Sequence, residues 1–267
     1  MRSVRRAAVA GSFYPSSATR LSSEVDQLIA GAKAQRSLGM LKAAIVPHAG
    51  FVYSGAVAAS AYALLKARER VDRVVLLGPS HFVRLEGLGL PAVEAMRTPL
   101  GEVALDLEGV KRASQLAQVA ESPQAHAHEH SLEVQLPFLQ RVLSRFTVIP
   151  LVVGDADPDA VAEVLEVLWG GEETIILVSS DLSHYLPYEL AVKADKRTAA
   201  RVLELDPVLL PNEDACGATP INGLLVACAK AKLRPAVLDL RNSGDTAGPR
   251  SEVVGYGSFA FYQAHDG

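Results

Sequence analysis

The stretch AAIVPHAGFVYSGAVAASAYALLK, residues 43–66, decides the fold class of this chain. Its first four residues form a short apolar run that predicts a buried strand. Its second half, Ala56–Lys66, has the length and apolar content of a helix packed against a sheet. His48 stands in the connection between them. A strand followed by a helix in this way is typical of α/β proteins.

The same alternation of strand-like runs and helical patterns continues to the end of the chain. Further strands are predicted at residues 74–77, 147–153, 174–178, 236–240 and 253–262. Further helices are predicted at residues 107–120, 132–143, 157–168, 190–205 and 221–230. This order predicts a three-layer sandwich, in which a mixed, mostly parallel central sheet is flanked by helices. Because no linker, low-complexity tract or internal repeat divides the sequence, residues 1–267 are predicted to form a single domain.

Composition and charge argue against several classes of protein. With 49% hydrophobic and 21% charged residues, the chain has the composition of a globular protein with a sizeable core. The net charge of −4 argues against nucleic-acid binding, which needs a clustered basic face. The apolar segment at residues 51–65 is shorter than the ~20 residues that cross a bilayer, and the N-terminus lacks the apolar core of an export signal. Two cysteines suit a reducing compartment, so we expect a cytoplasmic protein with no membrane partner.

Polar side chains directly follow three different predicted strands. AAIVPH ends in His48, VVLLGPSH ends in His81, and TIILVSSD ends in Asp181. Ligands of α/β proteins bind beyond the carboxyl ends of strands, so we expect these three side chains at one site. A single strand-end histidine is more often structural, but two of them with an anionic neighbour favour a metal site with open positions. The Gly- and Pro-punctuated residues 82–103 are predicted to form a long loop on the same side.

Asp181 and His184 are three residues apart in the segment SSDLSHY. At this spacing they could share a helical turn or tight loop and face the same cleft. We interpret them as an acid/base pair or as substrate contacts. An equally weighted alternative is that Asp181 caps the following turn and His184 is a surface residue.

Cys216 lies in a second predicted loop, residues 212–220, just before a predicted helix. Thr219 has the character of an N-cap and Pro220 that of a first helical residue. A cysteine beside a helix N-terminus has its thiolate favoured, which suits a metal ligand or a nucleophile. Cys228 lies in the apolar run GLLVACA and is predicted to be an inert core residue.

A rival motif occurs at residues 126–130, where His126, Glu129 and His130 spell H-x-x-E-H. On a helix this pattern would indicate an inverted zinc-hydrolase site. However, Ser131 resembles the N-cap of the next helix, so Glu129 and His130 are predicted to precede that helix. A cleft-lining role for His130 is therefore favoured.

Eight stretches spread over almost the whole chain resemble the Memo family: AGSFYP (10–15), VPHAGFVYSG (46–55), LGPSH (77–81), TPLGEVALD (98–106), EHSLEVQLPFL (129–139), SSDLSHY (179–185), CGATPI (216–221), and SGD with VVGY (243–245 and 253–256). The family is similar in fold and cleft placement to the class III extradiol dioxygenases, which use nonhaem iron. The resemblance implies that His48, His81 and Cys216 are metal ligands. It also implies that Asp181 and His184 are further cleft residues.

The resemblance implies one metal ion per chain, with iron(II) favoured and copper or zinc as alternatives. The anionic ligand is a thiolate instead of a carboxylate, so ring-cleaving activity is not expected to be inherited. We expect a redox or oxygen-dependent role in a modification system, with a radical S-adenosylmethionine protein and an AMMECR-like protein as partners and a small molecule or peptide as ligand. The alternative is a peptide- or protein-binding module that uses the same cleft without catalysis.

Overall fold

The computed structural model describes residues 3–33, 38–68, 70–206 and 208–263 of the chain. The strands within these residues are β1 (Val4–Arg5), β2 (Met40–Val46), β3 (Arg73–Pro79), β4 (Leu88–Leu90), β5 (Ala95–Thr98), β6 (Gly101–Ala104), β7 (Val119–Glu121), β8 (Thr147–Val153), β9 (Thr174–Ser179), β10 (His184–Leu186), β11 (Arg234–Asn242) and β12 (Val253–Gln263). The α-helices are α1 (Ala18–Gly31), α2 (Ala56–Lys66), α3 (Leu107–Ala113), α4 (Pro123–Ala127), α5 (Leu136–Val142), α6 (Pro158–Leu168), α7 (Tyr188–Glu204) and α8 (Ala218–Lys230).

Nine of these strands form one mixed sheet in the order β10-β12-β2-β9-β3-β8-β4-β7, with β11 paired to β12. The centre of the sheet, β2-β9-β3-β8, is parallel throughout. Antiparallel pairs occur toward the edges, for example between β12 and β2 and between β4 and β8. The predicted mixed sheet with a parallel centre is therefore confirmed.

Side chains of the central strands alternate between two buried hydrophobic cores, one on each face of the sheet. On β3, Val74 and Leu76 belong to one core while Val75 and Leu77 belong to the other. Helices α1, α2 and α5 contact one another on the first face, and α3, α6 and α8 cover the second. Because a strand directs successive side chains to opposite faces, this burial on both sides explains the continuous apolar runs in the sequence. The predicted three-layer arrangement is confirmed.

Three predicted helices differ from the structure because tertiary contacts override the local pattern. The helix predicted at residues 107–120 ends at Ala113, since Val119–Glu121 pairs with β4 as a strand. The helix predicted at 132–143 starts as a 3₁₀ turn, Glu133–Gln135, before α5 begins. Helix α8 begins at Ala218, so the prediction of Thr219 as its N-cap is wrong.

The prediction of a long loop at residues 82–103 is also wrong, because three short strands, β4, β5 and β6, lie in this segment. Strand β5 pairs with β1 from the chain's beginning and with β6, forming a separate three-stranded sheet. Helix α1 was not predicted, although Leu21, Val25 and Ile29 are spaced to bury one helix face. Among the described residues, no helix is long and apolar enough to cross a membrane.

Candidate metal centre

The five predicted site residues line one cavity of about 1070 Å³. His48 follows β2, His81 follows β3 and Asp181 follows β9. Since β9 lies between β2 and β3 in the parallel centre of the sheet, the carboxyl ends of these strands meet at one edge. This explains why residues far apart in the sequence converge.

Cys216 reaches the same edge through contacts with the segment after β9. Its backbone N–H donates to the carbonyl of Asp181 at 3.3 Å, and the N–H of Gly217 donates to the hydroxyl of Ser180 at 2.9 Å. A Cβ at position 217 would lie 2.7 Å from the Ser180 side chain, so a glycine is needed for this approach. The close packing fixes the cysteine at the strand end.

His48, His81 and Cys216 form a group that could hold a metal ion. Their potential ligand atoms all lie within 4.8 Å of one another. The Nε2 atom of His48 is 3.3 Å from the Sγ atom of Cys216, and the ring centroids of His48 and His81 are 5.1 Å apart. Two imidazoles and one thiol are a donor set that accepts iron, copper or zinc.

The imidazole of His48 is buried, with 2% of the residue exposed. Its Nδ1 atom is 3.0 Å from the hydroxyl of Ser179, and its backbone N–H donates to Oδ1 of Asp181 at 2.8 Å. Burial, followed by the proximity of His81 and His130, holds the pKa of His48 well below its usual range. A neutral imidazole is the form that binds a metal.

Glu129 holds the other histidine of the group. One of its carboxylate oxygens lies 2.9 Å from Nδ1 of His81, and the other accepts the backbone N–H of His81 at 2.7 Å. Burial of Glu129 opposes its ionisation, but these hydrogen bonds and that from the Ser131 N–H outweigh burial and lower its pKa to about 2. The local sequence predicts that Glu129 precedes a helix but does not indicate its contact with His81, because a separation of 48 residues leaves no local signal.

The thiol of Cys216 differs from expectation. Burial, together with the nearby Asp181 carboxyl group, raises the pKa of Cys216 to about 12, despite hydrogen bonds that favour the thiolate. The prediction that the helix N-terminus favours the thiolate is therefore wrong for the metal-free protein. A bound cation would be needed to ionise this ligand. Cys228 is fully buried, as predicted.

Asp181 and His184 face the same cavity but come from a loop and from β10, and not from one helical turn. The Asp181 carboxyl group accepts backbone N–H bonds from His48 and Ala49, so a local turn cap does not describe its role. Burial raises the pKa of Asp181 to about 7 against those bonds. The Nδ1 atom of His184 lies 2.8 Å from the Leu182 carbonyl, and burial lowers the pKa of this imidazole.

Further aromatic and charged side chains line the cavity. A π-helical turn, Phe51–Gly55, follows His48 and carries Tyr53 into the cavity. Such turns are frequent at functional sites. The remaining aromatic and charged lining residues, none of which was predicted from the sequence, are Phe13, Tyr185, Tyr256, Arg197, Glu213 and Asp214.

The rival H-x-x-E-H motif is divided in the structure. His126 lies in the short helix α4 and its Nε2 atom contacts the carbonyl of Gly89 at 2.8 Å, whereas His130 lines the cavity as predicted. His81, Glu129 and His130 do offer a second close group of ligand atoms. However, Oε1 of Glu129 already contacts the His81 ring and accepts the N–H groups of His130 and Ser131. The group of His48, His81 and Cys216 is therefore the stronger candidate for a metal site.

Comparison with known proteins identifies the family. The family model described as Memo-like protein matches residues 5–260. The chain belongs to the Memo-like family. Two relatives named MEMO1 family protein are those of Sulfolobus acidocaldarius, 34% identical with 97% of this chain and 99% of the relative covered, and of Aquifex aeolicus, 37% identical with 95% and 97% covered.

One solved structure shares the fold of this Memo-like protein. It is the crystal structure of an uncharacterized protein from Escherichia coli K12, with a TM-score of 0.56 and 13% sequence identity, covering 82% of this chain and 99% of that one. At that identity the likeness concerns the fold alone. The predicted membership of the Memo family is confirmed.

Proposed function

We propose that this Memo-like protein holds one metal ion between His48, His81 and Cys216 and uses it in redox or oxygen-dependent chemistry on a molecule bound in the cavity. The observation that carries the proposal is the approach of three metal-binding side chains to within 4.8 Å at the carboxyl edge of the sheet. Iron(II) is favoured because of the resemblance to nonhaem-iron dioxygenases, with copper and zinc as alternatives.

The donor set supports a site with room for a further ligand. Three protein ligands leave at least one coordination position open, which is the arrangement of catalytic metal sites. When bound, an iron or copper ion would supply electron transfer or oxygen activation next to the cavity. The thiol of Cys216 would release its proton on metal binding, so affinity should fall at low pH.

His184 is the group best placed to move a proton at the bound molecule. Its Nδ1 atom faces a carbonyl, which can only accept, so Nδ1 carries the hydrogen and Nε2 has a free lone pair. Because burial keeps the imidazole neutral, Nε2 can accept a proton from a substrate hydroxyl or amine. Asp181 would complete this acid/base pair or contact the substrate. It also accepts the backbone N–H of His48, and this hydrogen bond would help to orient His48 as a metal ligand.

Elemental analysis of anaerobically purified protein tests the metal site. We expect about one metal per chain in the wild type, and its loss in His48→Ala, His81→Ala and Cys216→Ala. Cys228→Ala is the matched control, since this cysteine is buried in the hydrophobic core and should not affect metal content. Undiminished metal in both histidine variants would contradict the ligand assignment. Oxygen consumption by the metal-loaded protein with candidate substrates and partners tests the redox role.

A second candidate function is a peptide- or protein-binding module that uses the same cleft without catalysis. It is favoured by exposed apolar side chains near the site, including Val52, Phe82 and Tyr185, which are 65%, 61% and 72% exposed. A contiguous exposed apolar patch often marks a contact surface. Binding of a peptide with equal affinity to the wild type and to a metal-free His81→Ala variant, without oxygen consumption in either, would favour this reading.

The resemblance also motivates a proposal on partners. We propose that the protein acts together with a radical S-adenosylmethionine protein and an AMMECR-like protein. Co-purification of the three chains, with and without metal, would test this association. Dependence of any oxygen consumption on the added partners would place the metal centre in a shared modification reaction.

A further inference from the structure

The hydrogen bonds around Ser179 determine which ring nitrogen of His48 carries a hydrogen. The hydroxyl of Ser179 lies 2.6 Å from the carbonyl of Ser131, which can only accept, so the hydroxyl hydrogen points there. The side-chain amide of Gln135 donates to the same hydroxyl oxygen at 2.8 Å. The remaining contact, from Nδ1 of His48 at 3.0 Å, must therefore be an N–H donating to Ser179.

The orientation of the Gln135 side-chain amide is also fixed by its other two contacts. Its NH₂ group donates to the carbonyl of Pro47 at 2.9 Å, and its carbonyl oxygen accepts the hydroxyl of Tyr62 at 2.8 Å. An exchange of the amide oxygen and nitrogen would place the oxygen against a carbonyl acceptor. The amide must donate to Ser179, and His48 must donate as well.

Glu129 determines in the same way which ring nitrogen of His81 carries a hydrogen. Its Oε1 atom accepts the N–H groups of His130 at 2.9 Å and Ser131 at 2.8 Å, and its Oε2 atom accepts the backbone N–H of His81 at 2.7 Å. A carboxylate that receives three backbone N–H bonds is an acceptor at every contact. The Nδ1 atom of His81, 2.9 Å from Oε1, is therefore a donor too.

One fully buried residue, Ser131, connects the hydrogen bonds around His48 with those around His81. Its N–H donates to Glu129, its carbonyl accepts from Ser179, and its hydroxyl donates to the carbonyl of Pro79 at 3.2 Å, just before His81. A Cβ at Gly78 would lie 2.6 Å from the Ser131 hydroxyl, so the strand can approach Ser131 this closely only with a glycine at that position. Glu129 and Ser179, which orient the two histidines, are therefore both hydrogen-bonded to the backbone of Ser131.

We infer that Ser179 and Glu129 are positioning residues that hold both His48 and His81 in the Nδ1–H form before any metal binds, and that Ser131 couples them. In a neutral ring of this form the lone pair is on Nε2, the atom with which each histidine would bind a metal. The orienting partner of a ligand histidine typically changes metal affinity by 10- to 100-fold. In its metal-binding consequence this inference rests on the proposed function, but the ring hydrogens can be measured without metal.

Nitrogen-15 NMR of the imidazole rings in the metal-free protein tests the inference directly. The chain has seven histidines, and the signals of His48 and His81 are assigned by their loss in His48→Gln and His81→Gln. At neutral pH we expect both rings as Nδ1–H. Finding either ring in the wild type as Nε2–H, the form favoured by free histidine in water, would overturn the inference.

Variants extend the test to each positioning residue. Ser179→Ala should shift His48 toward Nε2–H and lower zinc affinity by about 10- to 100-fold, while His81 is unchanged. Ser60→Ala is the matched control, because Ser60 is also buried but lies in α2 outside the cavity lining. An unchanged His48 ring and unchanged zinc affinity in Ser179→Ala would overturn its positioning role.

A double-mutant cycle tests the coupling through Ser131. Glu129→Gln replaces an oxygen that accepts N–H groups by an amide donor, so we expect weaker zinc binding and a disturbed His81 ring. Because both sites share Ser131, the affinity losses of Glu129→Gln and Ser179→Ala should not simply multiply in the double variant. Losses that do multiply would overturn the coupling. If the wild type shows both Nδ1–H rings but binds no metal, the proposed function fails while the inference about the rings stands.

Discussion

The Nε2 atom of His48 lies 3.3 Å from the Sγ atom of Cys216, although 168 positions separate the two residues in the chain. Two ligands at about 2.0 Å and 2.3 Å from a tetrahedral zinc ion would be separated by about 3.5 Å, so the observed contact is close to that of a preformed ligand pair. The imidazole contacts the hydroxyl of Ser179, the last residue of β9, and the thiol accepts the backbone N–H of Asp181 just after that strand. These contacts limit the movement of both groups on metal binding.

Thiol labelling should distinguish the two cysteines. At neutral pH we expect slow reaction of both, because burial raises the pKa of each thiol, with Cys216 reacting faster since it lines the cavity. Added zinc should protect Cys216 and leave Cys228 unchanged. Mass spectrometry of alkylated peptides, with Cys216→Ser and Cys228→Ser assigning the sites, gives the rates. Protection of Cys228 in place of Cys216 would remove the thiol from the ligand set.

Metal retention should be separable from Asp181 and His184. We expect His184→Ala to keep wild-type metal content, because its Nδ1 atom is bound to the Leu182 carbonyl and it lies outside the ligand group. Asp181→Ala should cost about 1–3 kcal/mol of stability, since two backbone N–H groups lose their acceptor, whereas Asp181→Asn keeps one accepting oxygen and should cost less. Thermal melts and elemental analysis measure both. Loss of metal from folded Asp181→Asn would make Asp181 a ligand.

His126 should make the protein sensitive to acid. Burial lowers its pKa to about 4 in the folded state, while the unfolded chain has the ordinary value of about 6.5. As the pH falls from 7 to 4, the unfolded state gains a proton that the folded state does not, so the free energy of unfolding decreases by up to about 3 kcal/mol. Urea denaturation of His126→Gln should show a flatter pH profile over this range.

The neighbouring His128 offers the control for that experiment, because it is exposed. His128→Gln should have the pH profile of the wild type. His126→Gln should also keep its metal, since His126 contacts Gly89 in the structure and not the candidate metal centre. Metal loss in His126→Gln would revive the inverted zinc-hydrolase motif as the functional site.

A buried ion pair should stabilise the segment that carries Glu129. Arg5 forms a salt bridge with Glu133 at 2.6 Å and donates to the carbonyls of His126 and Glu129, and Tyr14 donates to Glu133. Arg5→Met should cost about 3–5 kcal/mol, because it leaves a buried carboxylate without its counter-charge. The double variant Arg5→Met/Glu133→Gln should be more stable than Arg5→Met alone. Chemical denaturation measures this, and a double variant that is no more stable would argue against charge burial as the cause.

The sequence predicted the sheet well because its central strands are buried on both faces. Six predicted strands and most long helices are present, since apolar runs and helical periodicity are local properties. Strands β4 and β7 were missed because each has only three residues and the two segments that pair are distant in the chain. Pairing of this kind leaves no periodic signal in a three-residue strand.

The residues of the candidate site also differ in how far the sequence alone could predict them. His48, His81 and Asp181 could be found from the sequence because each directly follows a strand, and the carboxyl ends of neighbouring parallel strands meet. Cys216 entered the predicted ligand set through the family resemblance, and its position beside the strand end depends on contacts of Gly217 with Ser180.

The sequence by itself determined the α/β class, the strand-end placement of the two histidines and the membership of the Memo-like family. Tertiary structure alone decided the state of the side chains in the site. It buries the thiol of Cys216 so that its pKa rises, and it brings Ser179 and Glu129 against the ligand rings. The physical reason is that the solvation and hydrogen bonding of a side chain depend on neighbours that only the folded chain brings together. The periodicity of apolar residues, in contrast, is a property of consecutive positions in the sequence.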